Sequence, residues 1–127
     1  MSTGISKKLS IILLAYHSGD RLRRAFSSIT AIFEKEQIDF ELVIIDDGSR
    51  DGGLTKEVGI SLEDESARVR YFELSRNYTS HYAAFAGLSV CEGGCACIIP
   101  DDEQQPYDTL VRAYRLWELG EKIILPV

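Results

Sequence analysis

Short apolar runs alternate along the chain with longer segments of helical periodicity. The apolar runs predict five β-strands, at residues 9–15, 40–45, 69–74, 95–99 and 122–127. The segments between them place apolar side chains three or four positions apart and predict four helices, at residues 20–33, 54–64, 80–91 and 109–119. This alternation predicts an α/β fold with a mainly parallel sheet and helices on both of its faces.

Individual residues add detail to several of these elements. The run at 40–45 is almost continuously apolar, as expected for a strand that is covered on both faces. Ser18 or Asp20 is placed to cap the first helix, and Gly120 is placed to end the fourth. Gly59 interrupts the second helical segment. The third predicted helix carries small residues that allow close packing on a sheet, namely Ala83, Ala84, Ala86 and Gly87.

Composition and charge describe an ordinary globular domain. With 127 residues, of which 45% are hydrophobic and 27% charged, the chain can bury a core and form one compact unit. The net charge of −6 disfavours a nucleic-acid partner, because phosphate backbones are bound chiefly by lysine and arginine. The lysines and arginines are also scattered, which disfavours a membrane-surface patch.

The two ends of the chain carry further expectations. The apolar run at 9–16 is too short for a spanning helix, and no small-residue cleavage site follows it, so it is interpreted as the first strand. We therefore expect no membrane segment in this chain and a cytoplasmic location. The chain stops inside or just after the fifth predicted strand, which indicates a fragment of a longer protein.

The three cysteines, Cys91, Cys95 and Cys97, follow no ligand or disulfide pattern. Their odd number, in a chain without an export signal, argues against a disulfide framework. Their spacing lacks the C-x2-C pairs of a zinc site. Cys95 and Cys97 alternate within the fourth predicted strand and are expected to be core thiols.

Polar residues gather at the predicted strand ends. Open α/β sheets bind ligands outside the carboxyl ends of their strands. The residues there are Tyr16, His17, Ser18 and Asp20 after the first strand, Asp46, Asp47, Gly48 and Ser49 after the second, Ser75, Arg76, Asn77, Ser80 and His81 after the third, and Asp101, Asp102, Glu103, Gln104 and Gln105 after the fourth.

Two of these features indicate nucleotide chemistry. Two carboxylates in one crevice raise each other's pKa unless a cation joins them, and hard oxygen ligands suit Mg²⁺ or Mn²⁺. A divalent ion that bridges a carboxylate and a diphosphate is one way to hold a nucleotide. The start of the third helix, with Arg76 and Asn77 nearby, could hold an anion.

Each feature taken alone has a plainer interpretation. Asp46 and Asp47 could form only a turn with an Asx cap, the segment at 100–106 only a polar loop, and Tyr16 could be a core residue. It is their joint placement at successive strand ends that favours a binding site.

Two other α/β classes fit the order of the motifs less well. A phosphoacceptor receiver domain has its acidic pair after the first strand, whereas Asp46 and Asp47 follow the second. Lys122 also comes too soon after Asp102 for a receiver. A dinucleotide-binding fold is disfavoured because no G-x-G-x-x-G follows the first strand.

Four segments carry a closer resemblance: "SIILLAYHSGDRL", "ELVIIDDGSRDGG", "YFELSRNYTSHYAAFAGL" and "IIPDDEQQPYDTL". In order and spacing they resemble family 2 glycosyltransferases of the GT-A fold, and most closely the polyprenyl- and dolichyl-phosphate sugar transferase branch. The resemblance implies inverting transfer of a sugar from a UDP-, GDP- or dTDP-sugar, in cell-wall or polysaccharide biosynthesis. The implied acceptor is a polyprenyl phosphate or a glycan.

The resemblance also implies which part of the enzyme this chain supplies. Residues 1–127 would be the nucleotide-sugar-binding, N-terminal part of the GT-A domain. The family's general base lies beyond position 127, so no catalytic residue is assigned within the chain. Membrane helices of the branch would also lie beyond it, which would place a full-length protein at the cytoplasmic face of a membrane.

Roles follow from the resemblance by matching position. Tyr16 would stack on or edge the base, Asp47 would accept a base N–H, and Asp46 would support the loop. Arg76 and Asn77 would lie near the diphosphate or order its loop.

The segment "PDDEQQP" stands in the place of the family's D-x-D-type metal motif. Asp102 and Gln104 would bind the divalent metal, Mg²⁺ or Mn²⁺, and Asp101 would face the sugar or ribose. Pro100 stands where the family usually has the first aspartate, which removes one carboxylate ligand, and His17 stands where asparagine is usual. A non-catalytic nucleotide-sugar-binding module is the alternative function.

Overall fold

A computed structural model of the chain describes residues 7–78, 80–101 and 107–120. Within them the elements alternate as β1 Leu9–Ala15, α1 Arg21–Lys35, β2 Phe40–Asp46, α2 Leu54–Glu65, β3 Val69–Glu73, α3 Ser80–Val90, β4 Cys95–Pro100 and α4 Tyr107–Glu118. Each of these elements coincides with a predicted one to within two residues at either end. The fifth predicted strand, residues 122–127, lies outside the described residues.

The four strands form one parallel sheet in the order β3-β2-β1-β4. Their carboxyl ends therefore share one edge, where Ala15 pairs with Asp46, Asp46 pairs with Glu73, and Leu14 pairs with Pro100. The chain passes from β1 through β2 to β3 and then returns to place β4 on the other side of β1. Such a reversal of strand order is where open α/β sheets bind ligands.

Helices cover both faces of the sheet, as predicted. On one face, α1, α2 and α4 pack around the larger cluster of buried side chains, which includes Ile11 and Leu42. On the other face, α3 packs around a smaller cluster that includes Ile12. All seven residues of β2 are buried, which confirms that this strand is covered on both sides. A Cβ atom at Gly87 of α3 would lie 2.4 Å from Ile12 Cγ2, so close packing requires glycine here.

Two local predictions are wrong. Gly59 does not interrupt α2, which is continuous; a Cβ atom there would lie 2.2 Å from Tyr71 Cδ1, so the glycine makes room for the tyrosine ring. Ser18 and Asp20 do not cap α1 through their side chains. Asp20 has helical dihedral angles and makes no side-chain capping bond, and the Ser18 hydroxyl bonds elsewhere. Gly120, with φ of 106°, follows the last turn of α4 as predicted.

Cys95 and Cys97 are half-buried in β4 and pack against the larger cluster, which confirms their prediction as strand residues of the core. Burial raises the pKa of the Cys95 thiol to about 11 and that of the Cys97 thiol to about 12. Both thiols are therefore protonated at neutral pH, which is their unreactive form.

A buried carboxylate joins several elements at the edge of the sheet opposite the carboxyl ends. Glu41 in β2 is 4% exposed. Its Oε2 accepts hydrogen bonds from Ser10 Oγ (2.6 Å) and from the Glu92 N–H (2.5 Å), and its Oε1 lies 2.7 Å from an Arg70 nitrogen. Burial alone would raise the pKa of Glu41. The hydrogen bonds from Ser10, Glu92 and Arg70 have the larger combined effect and hold this pKa below its ordinary value.

Glu41→Gln is expected to destabilise the fold by about 2 kcal/mol at neutral pH, because Arg70 loses its charged partner in a buried setting. A lowered folded-state pKa means that the carboxylate stabilises the fold above its unfolded-state pKa, and that this contribution is lost as the pH falls through the folded-state value. Urea unfolding near neutral pH and at about pH 4 should therefore show a smaller acid-induced loss in the variant than in the parent. The exposed Glu57→Gln variant is the control and should keep the parent's pH dependence.

Candidate functional site

The loop after β1 presents two aromatic rings beside the carboxyl edge of the sheet. Tyr16 is 43% exposed, which rules out its interpretation as a core residue. Its ring stacks on that of His17, with centroids 4.0 Å apart and planes inclined by 16°. The His17 N–H donates to Ser49 Oγ at 2.9 Å, and the His17 carbonyl accepts from Arg21 at 3.3 Å. These contacts fix the loop to the β2–α2 loop and to α1.

Asp46 ends β2, and its carboxylate holds the following loop. The residue is 1% exposed. Its Oδ1 accepts from the Ser49 N–H (3.0 Å) and the Ser49 hydroxyl (2.6 Å), and its Oδ2 accepts from the Tyr71 hydroxyl (2.5 Å). Burial and the neighbouring Asp46 carboxylate raise the pKa of Tyr71, so its hydroxyl stays protonated and remains the donor. Asp46 therefore holds the loop after β2, and its part in a nucleotide site stays a prediction.

Asp47 faces the other side of the sheet. β2 ends at Asp46, but the Asp47 N–H still donates to the Ala15 carbonyl of β1 at 2.8 Å, so the strand ladder extends to Asp47. Successive side chains alternate along such a ladder, so Asp46 lies on the side of α2 and Asp47 on the side of α3. Asp47 is 8% exposed, and its Oδ1 accepts the Tyr78 N–H at 3.0 Å. The two adjacent carboxylates therefore have separate partners on opposite sides, which separates their charges.

Gly48 allows the loops after β2 and β3 to touch. Its φ is 74°, in the region that favours glycine. A Cβ atom at this position would lie 2.3 Å from both Arg76 C and Asn77 N. The peptide between Arg76 and Asn77 thus packs directly on Gly48, and both side chains are exposed. The Arg76 guanidinium lies over the Tyr78 ring, 4.9 Å from its centroid.

The Tyr78 hydroxyl also belongs to this loop. It lies 3.2 Å from Ser75 Oγ, and this hydrogen bond, with Arg76 nearby, lowers the pKa of Tyr78. The residues after β3 therefore form a connected loop that holds two predicted site residues, Arg76 and Asn77, beside Asp47.

Tyr71→Phe is expected to reduce the free energy of unfolding by about 2 kcal/mol, because it leaves an oxygen of the buried Asp46 carboxylate without its donor. Tyr114→Phe is the matched control. The Tyr114 hydroxyl donates to the neutral Lys7 carbonyl (2.5 Å), so its loss should cost about 1 kcal/mol. Urea unfolding of both variants makes the comparison, and an equal or larger loss for Tyr114→Phe would contradict the assigned role of Tyr71.

Asp101 lies where β4 ends and is joined to the loop after β1. Its Oδ2 accepts from the Ser18 hydroxyl and lies 3.2 Å from an Arg21 nitrogen. The Asp101 side chain is 18% exposed. The structure thus joins the end of β4 to the loop after β1, the loop that carries Tyr16, at the reversal of strand order.

Two adjoining clefts open at this edge. One has a volume of about 280 Å³ and is lined by Gly48, Ser49, Arg50, Glu73, Leu74, Ser75 and Arg76. The other has a volume of about 350 Å³ and is lined by Glu73, Leu74, Ser75, Tyr78 and Tyr82. Of the predicted site residues, Arg76 lines the first cleft. Asp47 directly precedes Gly48, another residue of the lining.

The two predicted metal ligands, Asp102 and Gln104, lie outside the described residues. Among residues 7–78, 80–101 and 107–120, no group of three or more histidine, cysteine, aspartate or glutamate side chains is arranged to hold a metal ion. Of the four helices described, none combines the length and the apolar character needed to cross a membrane.

Several residues of this arrangement carried no signal in the sequence. Tyr71 and Tyr78 reach the aspartates from later segments, and Arg21 reaches Asp101 across 80 positions. Only Gly48 offered a hint, since a glycine directly after an aspartate pair suggests a special backbone conformation.

A parallel α/β sheet with carboxylates and an arginine gathered at its carboxyl edge is an arrangement in which such folds bind ligands. The sequence model of Glycosyl transferase family 2 matches residues 10–127, and the chain belongs to this family. The resemblance found in the four sequence segments is thus confirmed.

Curated relatives agree with this assignment. The chain is 29% identical over 119 residues to an undecaprenyl-phosphate 4-deoxy-4-formamido-L-arabinose transferase of Pseudomonas fluorescens, covering 94% of this chain and 35% of that protein. It is 24% identical over 118 residues to the uncharacterized glycosyltransferase YkcC of Bacillus subtilis, covering 93% and 36%. The chain thus spans about a third of the length of these relatives. The first name supports the polyprenyl-phosphate branch.

Solved structures share the fold. A crystal structure of S. aureus TarS, residues 1–349, superposes with a TM-score of 0.61 at 20% identity, covering 82% of this chain and 31% of the other. A second TarS structure superposes with a TM-score of 0.63 at 16% identity, covering 93% and 23%. Together with the family match, this likeness confirms the predicted GT-A class of α/β fold.

Proposed function

We propose that residues 1–127 form the nucleotide-sugar-binding part of an inverting family 2 glycosyltransferase. The donor is a UDP-, GDP- or dTDP-sugar, and the acceptor of the whole enzyme is a polyprenyl phosphate. Family membership and the name of the Pseudomonas relative support this choice of substrates. We place the full-length protein at the cytoplasmic face of a membrane, where a polyprenyl phosphate is anchored.

The single observation that carries the proposal is the meeting of the loops at the carboxyl edge of the sheet. Asp47, Arg76 and Asn77 lie around Gly48, while Tyr16 and Asp101 lie at the neighbouring reversal of strand order. An aromatic ring, a carboxylate that accepts N–H groups and an arginine are the groups needed for a base, its N–H and a diphosphate.

Each side chain has a task that its position permits. Tyr16 offers an exposed ring for stacking with the base. Asp47 offers a hydrogen-bond acceptor for a base N–H. Arg76 offers an exposed cation for the diphosphate. The negative charge of the diphosphate grows as the glycosidic bond breaks, so its attraction to Arg76 is stronger in the transition state than in the ground state.

A divalent metal is part of the proposal. Asp102 and Gln104 would hold it, as the oxygen ligands that Mg²⁺ and Mn²⁺ prefer. When bound, it would neutralise charge on the leaving diphosphate. Asp101 directly precedes Asp102 in the chain. Its Oδ2 already accepts from Ser18 and lies beside Arg21. We therefore assign Asp101 to the sugar or ribose rather than to the metal.

A non-catalytic nucleotide-sugar-binding module is a second candidate. Pro100, the last residue of β4, favours it because it stands where the metal motif usually begins with a carboxylate. The two candidates share the donor site. They differ in whether the full-length protein transfers the sugar: a glycosyltransferase would do so, and a binding module would not.

Thermal-shift titration with a panel of nucleotide-sugars, with Mn²⁺ and with EDTA, tests the donor site. We expect a stabilising shift with at least one UDP-, GDP- or dTDP-sugar, because a ligand that binds only the folded state raises its stability. The absence of a shift with every member of the panel would refute the donor site. A shift that is the same in Mn²⁺ and EDTA would favour binding through Asp47 and Tyr16 without metal.

A further inference from the structure

His17 combines an unusual backbone with an exposed ring. Its φ is 51°, in the left-handed region that non-glycine residues enter at an energetic cost. The conformation is held from both sides, because the His17 N–H donates to Ser49 Oγ and the His17 carbonyl accepts from Arg21. Ser49 is itself held by Asp46. The backbone at this position is therefore fixed by the loop contacts.

The fixed backbone does not explain why the residue is histidine. Glycine adopts a positive φ freely, and asparagine, like histidine, enters the left-handed region more readily than most residues, so the backbone alone would admit all three. Neither glycine nor asparagine would provide the aromatic ring that His17 stacks on Tyr16 at 4.0 Å and 16°. What histidine adds at position 17 is therefore the ring itself.

We propose that His17 is a positioning residue for base recognition. Its ring backs that of Tyr16, holds the tyrosine ring in one orientation at the edge of the site, and so prepares a stacking surface for the nucleobase. An exposed tyrosine loses side-chain freedom when it binds a ligand, and a ring that is already held in place reduces that cost. This inference rests on the proposed donor site and adds to it the residue that orients the base-stacking side chain.

Two variants at position 17 separate the ring from the backbone. His17→Asn keeps a residue that tolerates the positive φ but removes the ring. His17→Phe keeps a ring and accepts the backbone cost. Calorimetric titration with UDP, GDP and dTDP identifies the nucleoside diphosphate that the parent chain binds, and inorganic pyrophosphate serves as the probe without a base. The Tyr16→Ala background tests whether His17 acts through Tyr16.

For the bound nucleoside diphosphate, we expect His17→Asn to weaken affinity about fivefold to tenfold. This loss is smaller than the loss expected on removing an aromatic ring that itself stacks on the base, because His17 acts only through Tyr16. His17→Phe should restore affinity to within about twofold of the parent, although its unfolding midpoint should be lower. Pyrophosphate binding should be the same in all variants. In the Tyr16→Ala background, His17→Asn should have no further effect.

Parent-like affinity in His17→Asn would overturn the inference, and so would equal losses in His17→Asn and His17→Phe, which would indicate a backbone role. A parallel loss of pyrophosphate binding would also overturn it. If the parent chain binds none of the nucleoside diphosphates, the donor site itself is wrong. If the parent binds and only the variants disagree, the donor site stands and the role of His17 falls.

Discussion

Gly48→Ala is expected to abolish measurable donor binding and to lower the free energy of unfolding by about 3 kcal/mol. Two costs add up. The positive φ costs about 1 kcal/mol for alanine, and the new Cβ overlaps the peptide between Arg76 and Asn77 at 2.3 Å, which adds about 2 kcal/mol as in other overpacked sites. The Arg76–Asn77 peptide must move away, and the groups expected at the diphosphate move with it.

Gly52→Ala is the matched control for this experiment. Gly52 has nearly the same φ, 71°, but a Cβ atom there would meet nothing within 4 Å. Its replacement should cost about 1 kcal/mol and leave donor affinity within about twofold of the parent. Urea unfolding and donor titration of both variants separate backbone strain from steric overlap. Equal losses in the two variants would show that the contact with residues 76–77 is unimportant.

Asp47→Asn is expected to weaken donor binding about 10-fold to 100-fold, with or without Mn²⁺. The asparagine side chain can still accept the Tyr78 N–H through its carbonyl oxygen, so the loop after β3 keeps its anchor. The NH2 group that replaces the second oxygen is a hydrogen-bond donor. It would face the base N–H, another donor, in place of the carboxylate oxygen that is proposed to accept this hydrogen bond. Loss of a charged hydrogen bond of this kind costs about 1.5–3 kcal/mol.

Asp47→Ala provides the comparison, because it removes both the acceptor for the base and the anchor for Tyr78. It should bind the donor at least as weakly as Asp47→Asn and should also be less stable in urea. Donor titrations in Mn²⁺ and in EDTA decide the assignment. A loss of affinity that appears only in the presence of Mn²⁺ would assign Asp47 to the metal instead of the base.

The described part of the fold was predictable because its signals are local. Strands and helices follow from apolar periodicity, and the parallel sheet follows from their alternation. The positions of the strand ends then indicated where polar residues would gather.

The contacts that arrange the site were not predictable, because they join distant segments. The capping prediction for α1 failed for this reason: the Ser18 hydroxyl, free to cap in a local view, bonds to Asp101 across 83 positions. The approach of the Arg76–Asn77 peptide to Gly48 likewise depends on how two loops pack. The opposite placement of Asp46 and Asp47 could have been deduced from strand alternation alone.

Because of that opposite placement, the two adjacent aspartates should respond to different selections, Asp46 mainly to selection for folding and Asp47 mainly to selection for ligand binding. Asp46 accepts hydrogen bonds from Ser49 and Tyr71 beneath the loop. Its replacement should therefore lower the free energy of unfolding whether or not a ligand is present. Asp47 lies on the other side, where its proposed task concerns the ligand. A randomised library sorted only for protease resistance should retain aspartate at 46 more strictly than at 47. The same library sorted for donor binding should retain both.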